Sequence, residues 1–247
     1  IGTGANNPGF EPAVGVLIDG VYRTRTGIAL SELPELSSIE VLRGPQGTLF
    51  GRNTSAGVVS INTAKPQWDP EATLGVSAGN YGMVSAEATV TGPLADNLAT
   101  RVDLKMRKRD GYIDDVNSGR ELNNVDRFLM RGQMLYEHED ASLRIIADYG
   151  KTEEDCCIGV NLIQGPTAAA VSTAAAFAGL QGFANADPED LKVALSPNRE
   201  IGDDVEEWGI SGEYRNRIGT MNLTAITAYR DWRAMRSQDV DFSGIDR

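Results

Sequence analysis

The 247-residue chain contains no run of about 18 or more apolar residues, so no segment of it crosses a bilayer as a helix. That absence leaves barrels untouched, because a barrel strand needs only about 9–11 residues with one apolar face. Histidine is nearly missing: His138 stands alone between Glu137 and Glu139, which reads as a solvated turn. Without a second histidine, neither a Ser–His triad nor a paired metal site can be assembled, so no catalytic residue, metal ligand or cofactor site is assigned. Cysteine is scarce too. The two present, Cys156 and Cys157, are adjacent, which fits neither a CxxC redox pair nor a zinc knuckle. Positive charge is in deficit, with a net charge of −12, and this argues against a nucleic-acid partner. Ile1 to Asn7 lack the basic start and apolar core of a secretory signal, and no initiator Met precedes them. The expectation is a processed amino terminus or a chain that begins mid-protein.

What is present is unevenly placed. Thr152 to Glu207 holds eleven acidic and two basic residues, a balance of −9, while the remainder is nearly neutral. An acidic insert of this kind reads first as a solvated loop. Within it Ala168–Leu180 and Asp187–Leu195 are compatible with helix, the second opening with Asp-Pro at an N-cap and first helical position. The acidic charge either holds divalent cations or keeps the loop soluble; solubility is the simpler account.

Two regimes meet near residues 65–70. Before them, Val14–Ile18 is a short apolar run stopped by Asp19-Gly20, a strand followed by a turn. Leu30 to Ile39 has amphipathic character with Ser31 as an N-cap, and predicts a short helix interrupted by Pro34. The β-branched runs Ile39–Leu42 and Val58–Thr63 flank a glycine-rich stretch, so a small mixed α/β unit is expected over residues 1–66.

After Pro70 the pattern becomes strict alternation, the period of strands with one apolar face. Seven antiparallel strands are expected, carried by Leu74–Ala78, Val84–Val90, Val102–Met106, Phe128–Met134, Leu143–Tyr149, Trp208–Tyr214 and Met221–Tyr229, the last alternating less cleanly. Their connections sort by parity. Gly92–Asn97, Glu139–Ala141 and Arg217–Gly219 are short; Asp110–Asp126 and an insert over 155–204 are long, and only Asn80–Gly82 breaks the rule. Outer-membrane barrels have short periplasmic turns and long extracellular loops, whereas a soluble sandwich has no reason for such sorting. Arg101, Asp103, Lys105 and Arg107 share one strand face. They suit a polar barrel lumen or the wet side of a soluble sheet.

Val16-Leu17-Ile18-Asp19-Gly20-Val21, then Ile39-Glu40-Val41-Leu42-Arg43-Gly44-Pro45-Gln46-Gly47-Thr48-Leu49-Phe50-Gly51-Arg52-Asn53, then Gly57–Thr63 with its Lys65-Pro66 exit, resemble the plug signature of TonB-dependent outer-membrane receptors. The resemblance implies a mainly β fold: the carboxy-terminal portion of a small α/β plug over 1–66, followed by about the first seven antiparallel strands of a 22-stranded transmembrane barrel over 67–247. It implies the bacterial outer membrane as location, lipid as surroundings and TonB as energy-transducing partner, reached through a segment absent from this sequence. It further implies import of a scarce nutrient, a ferric siderophore foremost, with no enzymatic step. Seven strands alone cannot close a barrel, so these expectations concern the parent protein.

By the same resemblance the outward plug loops are candidate ligand contacts: Asn6 and Asn7 on one, Tyr22, Arg23 and Arg25 on the other. An aromatic face beside two cations suits an anionic ligand, although the arginines could instead pair with lumen carboxylates. Arg43 matches a plug arginine that pairs with carboxylates on the barrel wall; local pairing with Glu40 is the alternative. Cys156 and Cys157 could close a disulfide with each other, or one could pair with a cysteine beyond residue 247, and an oxidising cell surface permits either. A surface signal receptor without transport and a soluble β-sandwich carbohydrate-binding module are the competing functions.

Overall fold

The computed structural model describes residues 12–24, 32–51, 53–184, 187–239 and 243–245. The first unit contains strands β1 (Val14–Ile18), β2 (Val21–Arg23) and β3 (Leu36–Arg43), the helical turn α1 (Gly47–Phe50) and strand β4 (Gly57–Thr63). They form a four-stranded sheet in the order β2-β1-β4-β3, in which β1 and β4 run parallel. Asp19 and Gly20 form the two-residue hairpin between β1 and β2, with φ of 50° and 75°. Both are left-handed, as a primed hairpin turn requires, and Asp-Gly is a favoured pair for it. Val16, Ile18 and Ile61 form the small buried core, with Leu33, Leu36 and Val59 packed against it.

The helix expected over Leu30–Ile39 is corrected. Leu30 and Ser31 lie outside the described residues, and from Leu36 the chain is strand: Ser38, Ile39 and Val41 pair with Asn62, Ile61 and Val59 of β4. A ladder partner was available for these β-branched residues, and it outweighs a weak amphipathic pattern already broken by Pro34.

The second unit is built on β5 (Glu71–Ala78), β6 (Val84–Ala95), β7 (Leu98–Arg109), β8 (Ile113–Asp115), β9 (Glu121–Leu122), β10 (Val125–His138), β11 (Ala141–Glu154), helix α2 (Ala168–Phe177), β12 (Lys192–Val193), β13 (Gly202–Ile218) and β14 (Met221–Ser237). Seven of these strands form one antiparallel sheet in the order β5-β6-β7-β10-β11-β13-β14. The sheet is open, with β5 and β14 at its edges. Tight turns at Asp96–Asn97, Glu139–Asp140 and Gly219–Thr220 mark one rim. The opposite rim carries residues 110–124 and 155–201, so the loops are sorted as the alternation predicts.

One face of this sheet carries an apolar band, bounded toward the cap by Lys151, Glu206 and Asp231. Register aligns Met106, Phe128 and Lys151 in one row, Leu104, Met130, Tyr149 and Trp208 in another, then Val102, Gly132, Ala147, Ile210 and Tyr229. Phe128 and Tyr149 rings lie 6.3 Å apart, and Trp208 and Tyr229 rings 5.4 Å apart. Tyr136 and Tyr214 flank Leu143 near the short-turn rim. At roughly 3.4 Å per residue, Phe128 and Tyr136 are about 27 Å apart along the strand, or about 21 Å along the membrane normal at the usual tilt. Two aromatic girdles around an apolar band of that height are the dress of a lipid-facing wall.

The irregular alternation of β14 has a local cause. Ile226 points inward and its Cδ1 lies 2.6 Å from where a Cβ on Gly20 would stand, so an apolar residue on the polar face packs against the plug hairpin.

The long loops are not simply solvated. Strands β12, β8 and β9 form a separate three-stranded sheet. Ile113, Leu122, Ile158, Val193, Leu195 and Ile201 make its buried core, so two loops fold together into one cap. Helix α2 forms where the alanine-rich stretch predicts it, whereas Asp187–Leu195 does not. There, Asp187 caps a single 3-10 turn over Pro188–Asp190, Leu191 turns left-handed at φ 53°, and Lys192–Val193 joins β8 in parallel. Burying Val193 and Leu195 in the cap replaces the helical continuation.

Candidate functional site

The polar face of the wall meets the plug, and the junction is made of charge. Asp19 sits at the tip of the β1–β2 hairpin with its side chain about 3% exposed. Its carboxylate accepts from the backbone N–H of Thr63 at 3.0 Å and from the Thr63 hydroxyl at 2.9 Å, which knits the turn to β4. From the wall, Arg131 of β10 donates to Asp19 Oδ2, and Arg144 of β11 donates to Oδ1 at 3.2 Å. Both guanidinium groups also reach Thr63 Oγ1, at 3.2 and 3.0 Å. Arg144 is held from behind by Gln133 Oε1, with Nε 3.0 Å away, and Gln133 Nε2 donates to the Ala64 carbonyl at 3.0 Å. Fixed forks of this kind specify direction as well as charge.

The network extends in two directions. Asp148 of β11 takes Arg131 at 3.4 Å and Arg230 of β14 at 2.7 Å, and Arg230 also contacts Glu207 of β13 at 3.3 Å. Toward the short-turn rim, Arg101 of β7 is 2% exposed, grips Asp103 and reaches Glu35 of the plug at 2.7 Å. Thr89 donates to the same Asp103 at 2.9 Å. Toward the cap, Arg107 pairs with Glu32 at 3.4 Å. Alternation places these side chains on the inward face because the outward residues between them must meet lipid.

Plug and wall are therefore joined at several heights, almost wholly by polar contacts. Leaving one partner alone there costs about 3–5 kcal/mol, because the remaining charge stays buried.

The sequence-derived candidates fall as follows. Arg23, on β2, is 7% exposed and turned inward, in the field of Asp148 and Glu207 of the wall. Burial pushes its guanidinium below the usual value, and those two carboxylates pull the other way. Its Nε and Nη1 are buried without a hydrogen bond. Tyr22 is half-buried, and its hydroxyl accepts from Asn53 Nδ2 at 3.1 Å. Asn6, Asn7 and Arg25 lie outside the described residues. Arg43 is exposed on β3, and among the described residues its side chain joins no ion pair; Gln46 Nε2 donates to its carbonyl at 3.5 Å. Cys156 and Cys157 are bonded to each other. Sequence reasoning missed Asp19, Arg131 and Arg144. The hairpin motif flagged Asp19 only as a turn former, and a charged residue on an alternating strand reads alike whether it faces water or a buried partner.

Residues 2–58 match the family model described as the TonB-dependent receptor plug domain. That segment is a plug domain of the TonB-dependent receptor type. Among curated relatives, the pesticin receptor of Yersinia enterocolitica is 28% identical over 165 residues, covering 63% of this chain and 24% of that protein. The ferrioxamine B receptor of Salmonella typhimurium is 38% identical over 79 residues, covering 32% and 11%. In fold, the ferric yersiniabactin uptake receptor of Yersinia pestis superposes with a TM-score of 0.74 at 20% identity, over 92% of this chain and 33% of that one. The open form of a ferric-catecholate import receptor of E. coli K12 superposes at 0.65 and 15% identity, over 89% and 32%. The match to the pesticin receptor thus spans about a quarter of that relative's length. Its place is the bacterial outer membrane, and its two units are plug and barrel wall.

Proposed function

We propose that the whole receptor binds an anionic ferric chelate at its outer mouth and carries it to the periplasm with energy relayed by TonB. The observation that supports this reading best is the plug junction at Asp19, Arg131 and Arg144. A plug seated by apolar packing would resist release in proportion to the area buried. One seated by charge is held in a single orientation yet gains hydration when it leaves, because both partners are strongly solvated groups. The junction can therefore be both specific and reversible. The names of the relatives point to iron chelates as cargo: one is a ferrioxamine B receptor and another, in Pseudomonas aeruginosa, a ferric enterobactin receptor.

Within this reading the plug covers residues 1–66, the wall 67–247, and the outer loop 155–204. Within it Tyr22, Asn6, Asn7 and Arg25 are the ligand contacts, and Arg43 pairs with carboxylates on wall strands other than the seven described. Arg23 serves the junction with Asp148 and Glu207 before it serves a ligand.

The test is uptake of iron-55 hydroxamate and catecholate complexes by cells carrying the full-length receptor, with and without TonB. Accumulation that needs TonB, with surface binding alone in its absence, is the expected result. Equal accumulation without TonB, or none of any ferric complex, contradicts the proposal.

A further inference from the structure

Arg23 ends strand β2 of the plug hairpin and is 7% exposed. Its Nε and Nη1 are buried without a hydrogen bond, and among the described residues it joins no ion pair. Orphaned donors of this kind are rare in a folded chain, because each gives up its hydration with nothing in return. The wall charges that act most strongly on it are Asp148 of β11 and Glu207 of β13. Strand β2 itself lies against β14.

Those two carboxylates are already occupied from the wall. Arg230 of β14 donates to Asp148 at 2.7 and 3.1 Å and to Glu207 at 3.3 Å. It reaches them across β13 at Gly209, which stands between Asp148 and Arg230 in the register. A Cβ on Gly209 would stand 2.6 Å from Arg230 Nη1, so the missing side chain opens this path. Arg230 is 16% exposed and can turn out into lumen water, which Arg23 cannot. Arg131, 3.4 Å from Asp148, is committed to Asp19 and does not compete. A plug cation and a wall cation therefore flank one carboxylate pair, and only the wall cation is bonded to it.

We propose that Asp148 and Glu207 form one seat for two cations, and that the plug hairpin takes a second position in which Arg23 replaces Arg230 there. The inference needs no cargo and goes beyond the transport reading. A plug held by buried charge ordinarily cannot shift without leaving a carboxylate or a guanidinium unpaired, which is costly. Exchange avoids this on both sides. Arg230 rehydrates, Arg23 gains the hydrogen bonds it lacks, and the two carboxylates keep a cation throughout. At rest the wall cation is favoured because its fork spans both carboxylates at once. Two discrete pairings of one seat make the hairpin bistable rather than continuously deformable.

The test is hydrogen exchange at the amides of Val16–Ile18 and Val21–Arg23 in the full-length receptor in detergent. Heat-modifiable gel migration reports that each variant barrel is assembled. Arg230→Gln vacates the seat, so Arg23 should take it and slow exchange by about threefold to tenfold, the net worth of one hydrogen bond. Arg230→Lys keeps the charge but loses the fork, so the slowing should be smaller. Arg23→Gln should abolish the slowing in the Arg230→Gln background. Alone it should not speed exchange, since no hydrogen bond is lost. A merely structural Arg230 predicts the opposite sign, because its removal would leave two wall carboxylates short of a partner and loosen the hairpin. Unchanged or faster exchange in assembled Arg230→Gln, or slowing that survives Arg23→Gln, overturns the proposal. So does an acceleration of about tenfold from Arg23→Gln alone, which would show that Arg23 is already seated. Where Arg230→Gln fails to assemble, Arg230→Lys carries the comparison, and unchanged exchange there counts equally against the exchange of cations.

Discussion

Asp19 and Arg144 are 125 positions apart in the chain and 3.2 Å apart in the fold, one on the tip of a plug hairpin and the other on the inward face of the wall. Both side chains are nearly inaccessible to water. Arg131 approaches the same carboxylate from the neighbouring strand, so a single plug anion is held by two wall cations. The polarity is opposite to that expected from Arg43, in which the plug supplies the cation and the wall the anion. Both arrangements use the same physics: a buried charge orients its partner more sharply than an apolar contact does.

The hairpin that carries Asp19 depends on Gly20, whose φ of 75° is left-handed and whose missing Cβ leaves room for Ile226. Gly20→Ala should destabilise the plug hairpin by about 1–2 kcal/mol, mostly from the backbone, because Ile226 can shift its terminal methyl. Hydrogen exchange over Val14–Arg23 in the full-length receptor reads the loss. Adding Ile226→Ala should restore only the part due to crowding; full restoration would mean that the turn does not need its left-handed residue.

The cap has its own core, so it should respond to core mutations independently of the wall. Leu122 is fully buried there, and Leu122→Ala should cost about 2–5 kcal/mol. Exchange protection should fall at the amides of Asp114, Val116 and Leu195, which bond within or across the cap, while that of β10 and β11 stays unchanged. Unaltered protection in the cap would show that the two loops do not fold as one unit.

The outward face makes a depth-dependent prediction. Val102 lies in the row of Gly132 and Ala147, midway between the aromatic girdles, and Met221 lies at the short-turn rim. Val102→Arg should destabilise the receptor in vesicles by about 2–4 kcal/mol and Met221→Arg by about 0–1 kcal/mol. Urea titration of the vesicle-embedded protein measures both. Equal costs at the two positions would place the apolar band elsewhere.

Much of this architecture was legible in the residues. Strands with one side in lipid and the other in a polar lumen must alternate, so Val102, Leu104 and Met106 against Arg101, Asp103 and Lys105 announced their own geometry. Glycine turns and the Asp19-Gly20 hairpin were equally plain. What escaped was whatever depends on a partner distant in sequence. Leu36 to Ile39 became strand because β4 offered a ladder, and Asp187 to Leu195 gave up its helix to bury Val193 and Leu195 in the cap. The acidic charge of the insert concealed its core, since a few spaced apolar residues do not alter average composition. Asp19 read as a turn former, and only the fold brings Arg131 and Arg144 to it.

The most direct test of the plug junction is a double-mutant cycle between Asp19→Asn and Arg144→Gln in the full-length receptor, reported by hydrogen exchange of the plug amides at Val16–Ile18 and Ile61–Thr63. Asp19→Asn alone should weaken protection by about 3–5 kcal/mol, because two guanidinium groups are left buried with less opposing charge. The two substitutions together should cost less than their sum by about 0.5–3 kcal/mol, the range seen for residues within one buried network. Additive costs, or plug protection that Asp19→Asn leaves untouched, would contradict a plug seated by charge.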